Sequence, residues 1–313
     1  VSPQPPAPMR LTRTEWRARE RAHRERADAL TAEHRERASR GETHPVWDFL
    51  FTYYSYKPAV LRRWHPGPGV ELEDAADEPR GQWRWYAPGD APRSLVVDRA
   101  AFEHDKAPLC RLVEIMLRRT AGRPGRFDCF GLHEWAMVYR QHEHRHPVPL
   151  RLGQESTDAV VDDHELRCTH YDAFRFFTPD AVPRNRDAPT RESQPLLDQP
   201  GCLHAGMDVY KWAVKLGPLV PGDLLLDAFE LARDIRRLDM EAAPYDLSGW
   251  GFVPVRIETA EGKAEYVRRQ RDLAARGNAL RGRILDAWGP IDQRRSTLRT
   301  SASPAQASAT PAA

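Results

Sequence analysis

No apolar run in the sequence approaches the roughly 20 residues that a membrane-crossing helix needs. The opening stretch VSPQPPAPMRL also lacks the apolar segment of a secretory leader. A membrane is therefore not an expected partner, and the expected location is the cytoplasm. Cysteine is scarce. Cys110, Cys129, Cys168 and Cys202 are the four present, and no two form a CxxC pair. This argues against a zinc ribbon and for reduced thiols that act as small buried hydrophobes. Charge of one sign is lacking too. Lys and Arg number 47 against 45 Asp and Glu, a net charge of +2, which leaves room for a local basic patch but not for a polybasic glove around nucleic acid. No HExxH or comparably strong metal signature appears.

What is abundant is apolar bulk interleaved with charge. Hydrophobic residues at 41% supply a sizeable core, and charged residues at 29% supply a water-exposed surface. The pattern predicts a mainly α protein. A single mostly helical domain is expected over residues 10–295, with a small β-hairpin insertion and disordered tails at residues 1–9 and 296–313.

Thr12 or Thr14 caps a long helix that ends at Gly41. Its alternating acids and bases read as an ion-paired surface or as arginines tracking phosphates. Trp47, Phe49, Phe51, Tyr53, Tyr54, Tyr56 and Trp64 follow within a short span, as core or as a wall for a planar ring. Residues 82–86 and 94–98 read as the hairpin strands. Helices are expected at 105–119, 128–140 and 157–162, and a strand near 166–176. The tract His142, His144, His146 reads as a helix end or a metal-binding run. Residues 179–200 read as a long loop, a length typical of lids and binding loops or of disordered segments. Residues 263–288 read as a charged helix broken near Gly277.

The chemistry concentrates in residues 201–247. After Pro221-Gly222, with Asp223 as cap, Leu224, Ala228, Leu231, Ile235, Leu238 and Ala242 recur at steps of four and three, so they share a core face. Asp227, Glu230, Asp234 and Arg237 share another face, read as solvated ion pairs (Glu230 with Arg233, Asp234 with Arg237) or as a carboxylate stripe on a cleft. His204 and Asp208 stand one helical turn apart, a spacing that suits two metal ligands or an acid orienting an imidazole, with Lys211 as a salt partner of Asp208. Leu203-His204 with Val209-Tyr210 repeats the spacing of Leu132-His133 with Val138-Tyr139. The helices that carry His133 and His204 and the helix from Asp223 are expected to converge on one polar cleft.

Four stretches carry a resemblance: HPVWDFLFTYYSYKPAVLRRWHPG, FDCFGLHEWAMVYR, CTHYDAFRFFTP and the long run from Leu203 to Leu247. They resemble a bacterial, largely actinobacterial family labelled 3-methyladenine DNA glycosylase, over roughly residues 9–288. The resemblance implies excision of an alkylated base from DNA, with DNA as partner and no cofactor. Such an enzyme extrudes the base, stacks it and stabilises an oxocarbenium-like sugar. Tyr53, Tyr54, Tyr56, Trp135, Trp212 and Tyr210 are then candidates for the base pocket. Asp208, Asp234 or Asp239 is a candidate for the carboxylate at the sugar, with His133 and His204 as catalytic partners. Lys211, Arg233 and Arg236 are candidates for phosphate contacts. The alternative from another reaction class is a helical metal-dependent enzyme, di-iron-like, acting on a small molecule. Its ligands would come from His204/Asp208, Glu230/Asp234, His133/Glu134 and His170/Asp172.

Overall fold

The computed structural model describes residues 8–141, 143–144 and 148–289. The expected tails, apart from Pro8 and Met9, and two histidines of the His-rich tract (His142 and His146) lie outside the described residues. His144 is described, and its Nε2 lies 2.9 Å from Gln154 Oε1. The protein is mainly α with a small β insertion. Among the described residues no helix is long and apolar enough to cross a membrane.

The chain begins with strand β1 (Met9–Leu11) and helix α1 (Arg13–Ser39). Thr12 accepts from the Glu15 amide while the Glu15 carboxylate accepts from the Thr12 amide, a capping box that satisfies orphan donors at the helix start. Trp16, Glu20, His23, Ala27 and Thr31 form a buried stripe along α1, so this charged helix is docked on one side. The insertion is larger than the expected hairpin. Strands β2 (Val70–Leu72), β3 (Tyr86–Pro88) and β4 (Leu95–Val97) join β1 in a sheet ordered β1-β2-β4-β3. β1 and β2 run parallel, and the other pairs are antiparallel. The hairpin strand starts at Tyr86 rather than at residue 82, because Pro79–Gln82 forms a 3-10 turn and Trp85 takes a left-handed backbone (φ 67). Leu11, Trp16, Trp64, Leu72 and Leu95 pack the sheet onto α1, with the buried Arg80 paired to Glu20 at 2.6 Å.

Helix α2 (Ala107–Ala121) leads to a short helix α3 (Leu132–Ala136) and then to α4 (Gly153–Asp162). The expected helix over 128–140 is cut to α3, since Phe130 and Gly131 both adopt positive φ just before it. The expected strand near 166–176 is instead a single bridge from Leu166 to Asn185 followed by a helical turn at Tyr171–Phe174. The centre of the molecule is the helical hairpin α5 (Leu203–Leu216) and α6 (Gly222–Glu241), joined by the tight turn Gly217–Leu219. The α6 stripe Leu224, Ala228, Leu231, Ile235, Leu238 and Ala242 is buried throughout. Gly206 lets the two helices approach closely, for a Cβ there would lie 2.7 Å from Ile235 Cδ1. Helix α7 (Ala260–Trp288) runs unbroken through Gly277 and covers the hairpin. From α7, Gln270 donates to the Gly201 carbonyl at 2.6 Å and Arg281 to the Ala205 carbonyl at 2.7 Å, which fixes the start of α5.

Candidate functional site

Three short pieces of chain and the α5–α6 hairpin meet below the aromatic stretch. Gly131 opens α3 in the left-handed region (φ 74), and a Cβ there would lie 3.3 Å from the Tyr266 ring and 3.4 Å from Ala242 Cβ. This turn aims His133 and Glu134 at α6. His133 Nε2 lies 2.8 Å from Asp239 Oδ1, and Asp239 Oδ2 accepts from Arg236 at 2.8 Å. Arg236 is 1% exposed, donates also to Glu134 Oε1 at 3.2 Å, and stacks 4.0 Å above the Phe49 ring.

From α5, His204 presents its ring to the His133 ring at a centroid distance of 4.5 Å and to the His170 ring at 5.6 Å. His170 is held in turn by Asp198, with Nδ1 and Oδ1 3.0 Å apart. Its Nε2 lies 3.8 Å from Asp208 Oδ2. Tyr54 donates to Asp208 Oδ1 at 3.2 Å, and Lys211 donates to Asp208 Oδ2 and lies 3.7 Å from Asp172. Two triads of potential ligand atoms result. Those of His133, His204 and Asp239 lie within 4.8 Å of one another, as do those of His170, Asp198 and Asp208.

The electrostatics differ among the three imidazoles. Burial disfavours charge on His133, but the Asp239 carboxylate outweighs it and holds the pKa above the ordinary histidine value. His170 is raised in the same way by Asp198 against its burial. His204 makes no side-chain hydrogen bond among the described residues, and burial together with the neighbouring His133 drives its pKa well down. It is a neutral imidazole with a nitrogen lone pair available between two carboxylate-bound histidines.

His204 also faces a pocket of about 190 Å³. One wall is Phe49 stacked on Tyr53, with ring centroids 4.9 Å apart and 9° between planes. Met137 and Phe176 complete the apolar lining, and Glu134, Asp172 and His204 supply its ionisable groups. Glu134 Oε2 is buried without a hydrogen-bond partner among the described residues. On the other side of His133 and His204 lies a cavity of about 20 Å³, room for one water, walled partly by Cys129, Cys168 and Cys202. Burial raises all three thiols, Cys168 to about 12, so they stay protonated and are poor nucleophiles.

Of the residues singled out in the sequence, His133, Glu134, His170, Asp172, His204, Asp208, Arg236, Asp239, Tyr53, Tyr54 and Lys211 lie in this region. Trp135, Tyr210, Arg233 and Asp234 do not line the pocket. Trp135 is fully buried and donates to the Ala242 carbonyl at 2.8 Å, so it pins α3 to the end of α6 and has no face for a substrate ring. Tyr210 is fully buried against Tyr54, Tyr56 and Phe229. Asp234 pairs with Arg276 at 2.8 Å on the outer face of α6, where Arg233 borders a separate pocket. The other acids of that face pair across helices rather than within α6, Asp227 and Glu230 with Arg26 and Asp227 with Arg283. Phe49 takes the place of a ring wall that the aromatic stretch offered, whereas Asp198 enters the site without having stood out in the sequence. Asp198 follows His170 by 28 residues in the irregular 179–200 segment, so no helical or strand spacing could have linked them. No family model, curated protein or solved structure matches the chain.

Proposed function

We propose that the protein is a metal-dependent enzyme acting on a small planar substrate, with divalent metal held by the His133/His204/Asp239 group and the adjoining His170/Asp198/Asp208 group. The observation that carries this reading is His204, a neutral imidazole without a hydrogen bond among the described residues, between two carboxylate-bound histidines. Mixed imidazole and carboxylate donors suit zinc, manganese or ferrous iron. A metal would replace the proton that His133 and Asp239 now share, and it would supply an activated water or a Lewis acid. Arg236 and Tyr54 orient Asp239 and Asp208 from behind, the supporting role that ligand carboxylates need. Phe49 and Tyr53 hold a flat ring, and Glu134 and Asp172 favour one that carries positive charge.

A second reading keeps the same pocket for an extruded alkylated purine, which is flat and cationic, as the glycosylase resemblance implies. The pocket's aromatic wall and two carboxylates favour it. The cations expected at phosphates weigh against it: Lys211 is bound to Asp208, Arg236 is buried behind Asp239, and Arg233 borders another pocket. Elemental analysis of untagged protein separates the readings. About one or two equivalents of zinc, manganese or iron, lost in His204→Ala, support the metalloenzyme. A metal-free folded protein that releases methylated base from alkylated DNA supports the second reading and overturns the first.

A further inference from the structure

On the opposite end of α5, the β insertion and the Gly217–Leu219 turn enclose a second pocket of about 410 Å³, within the size range of small-molecule sites. Its ionisable lining is strongly one-sided. Arg63, Arg84, Lys106 and Lys215 line it, and among the described residues no carboxylate does. By contrast, the pocket at His204, the cavity beside Cys168 and the pockets beside His23 and Arg233 each carry at least one carboxylate. Asp105 neutralises Arg84 at 2.7 Å, but Arg63, Lys106 and Lys215 form no ion pair among the described residues. Three uncompensated cations therefore share one concavity in a chain whose net charge is only +2.

Aromatic faces stand between these cations. The Arg63 guanidinium sits 5.1 Å from the Trp83 ring centre, and Lys106 Nζ sits 5.9 Å from that of Trp85. Trp85 is held rigidly. Its Nε1 donates to Asp105 at 2.9 Å, its ring meets Phe102 edge-on at 4.8 Å, and its backbone is left-handed. A non-glycine residue in that region is strained, and such strain persists where the surroundings over-determine it and gathers at ligand sites.

We propose that this pocket binds a nucleotide-like ligand, a planar ring bearing a phosphate. The ring lies along the Trp83 and Trp85 side, and Arg63, Lys106 and Lys215 take the phosphate. Fixed indoles supply stacking, and cations lacking carboxylate partners lose no ion pair when the anion arrives. The ligand has two sources with the same chemistry, a free mononucleotide and the terminal nucleotide of a single strand.

The test is titration calorimetry with tryptophan fluorescence on the full chain, using adenosine monophosphate, adenosine, inorganic phosphate and a short single-stranded oligonucleotide. The expected result is that adenosine monophosphate binds about tenfold more tightly than either adenosine or phosphate, and that rising salt weakens it. The variant Arg63→Glu with Lys215→Glu loses about tenfold or more in affinity. Both side chains are solvent-exposed, so the variant folds, and an unchanged thermal melt verifies it. Lys106→Gln gives a milder loss in the same direction and serves if the double variant melts early. Binding of the oligonucleotide alone, weakened by the same variants, supports the site with the strand end as source. Affinity unchanged in both variants, phosphate binding as tightly as the nucleotide, or no binding of nucleotide or strand at millimolar concentration overturns the proposal.

Discussion

His133 Nε2 and Asp239 Oδ1 lie 2.8 Å apart although 106 residues separate them in the chain. Both are buried, at 7% and 0% exposure, so bulk solvent screens neither charge. Such a pair persists only if its remaining valences are satisfied, and Arg236 satisfies the second Asp239 oxygen. The pair is the hinge between α3 and α6 and the base on which His204 rests.

Removing one member leaves the other buried and unpaired. Asp239→Asn keeps the shape but withdraws the charge that holds His133 and Arg236. The expected cost is about 3–5 kcal/mol in chemical denaturation, against no more than about 0.5 kcal/mol for Asp234→Ala, a half-exposed residue on the outer face of α6. Equal losses in the two variants would contradict the placement of these carboxylates.

Trp135 tests whether α3 is pinned as described. Trp135→Phe keeps most of the packing but deletes the donor to the Ala242 carbonyl, which is then left without that partner. The expected loss is about 1–3 kcal/mol by urea denaturation. A ligand for the His204 pocket should still bind the folded variant, because Trp135 does not line that pocket. A selective loss of ligand with unchanged stability would return Trp135 to the role of stacking platform.

The legible parts of the fold are those where side-chain period and burial coincide. The α6 stripe repeats over twenty residues and could be read directly. His133 and His204 stood out because their flanking residues repeat, and their rings do meet. The β insertion was legible only as a hairpin, since strands of three residues are too short for a period to show, and the β1–β2 pairing joins residues 61 positions apart. Helix α3 was overdrawn because apolar spacing carries no record of the positive φ at Phe130 and Gly131. Asp234 and Asp239 looked equivalent on paper. Five residues on a helix turn one of them outward to Arg276 and the other inward to His133.

Gly131 carries the geometry that α3 needs, so its replacement should act on the site as well as on stability. Gly131→Ala forces a Cβ into the left-handed region and within 3.3 Å of the Tyr266 ring. A loss of about 1–3 kcal/mol is expected. If His133 is held by this turn, metal or ligand uptake at His204 falls further than in a variant of equal stability elsewhere, such as Trp135→Phe. Uptake equal in the two variants would separate the turn from the site.

Acid should weaken the fold through a histidine far from the His204 site. His65 Nδ1 lies 2.9 Å from Tyr86 Oη, and its ring packs against Trp83. Burial, and then the nearby Arg80, Arg63 and His23, push its pKa down to about 3. The unfolded chain takes up a proton near the ordinary histidine pKa of about 6.5, and the folded chain resists it until about pH 3. The contribution of His65 to stability is therefore complete above pH 6.5 and is lost as the pH falls towards 3. The magnitude is on the order of 1–2 kcal/mol between pH 7 and pH 5. Thermal melts of His65→Asn should drop less between those two pH values than melts of the native chain. His23 and His44, which burial also lowers, keep some of the drop in place. A variant whose melting temperature falls as steeply as the native one would show that His65 is protonated in the folded state at pH 5.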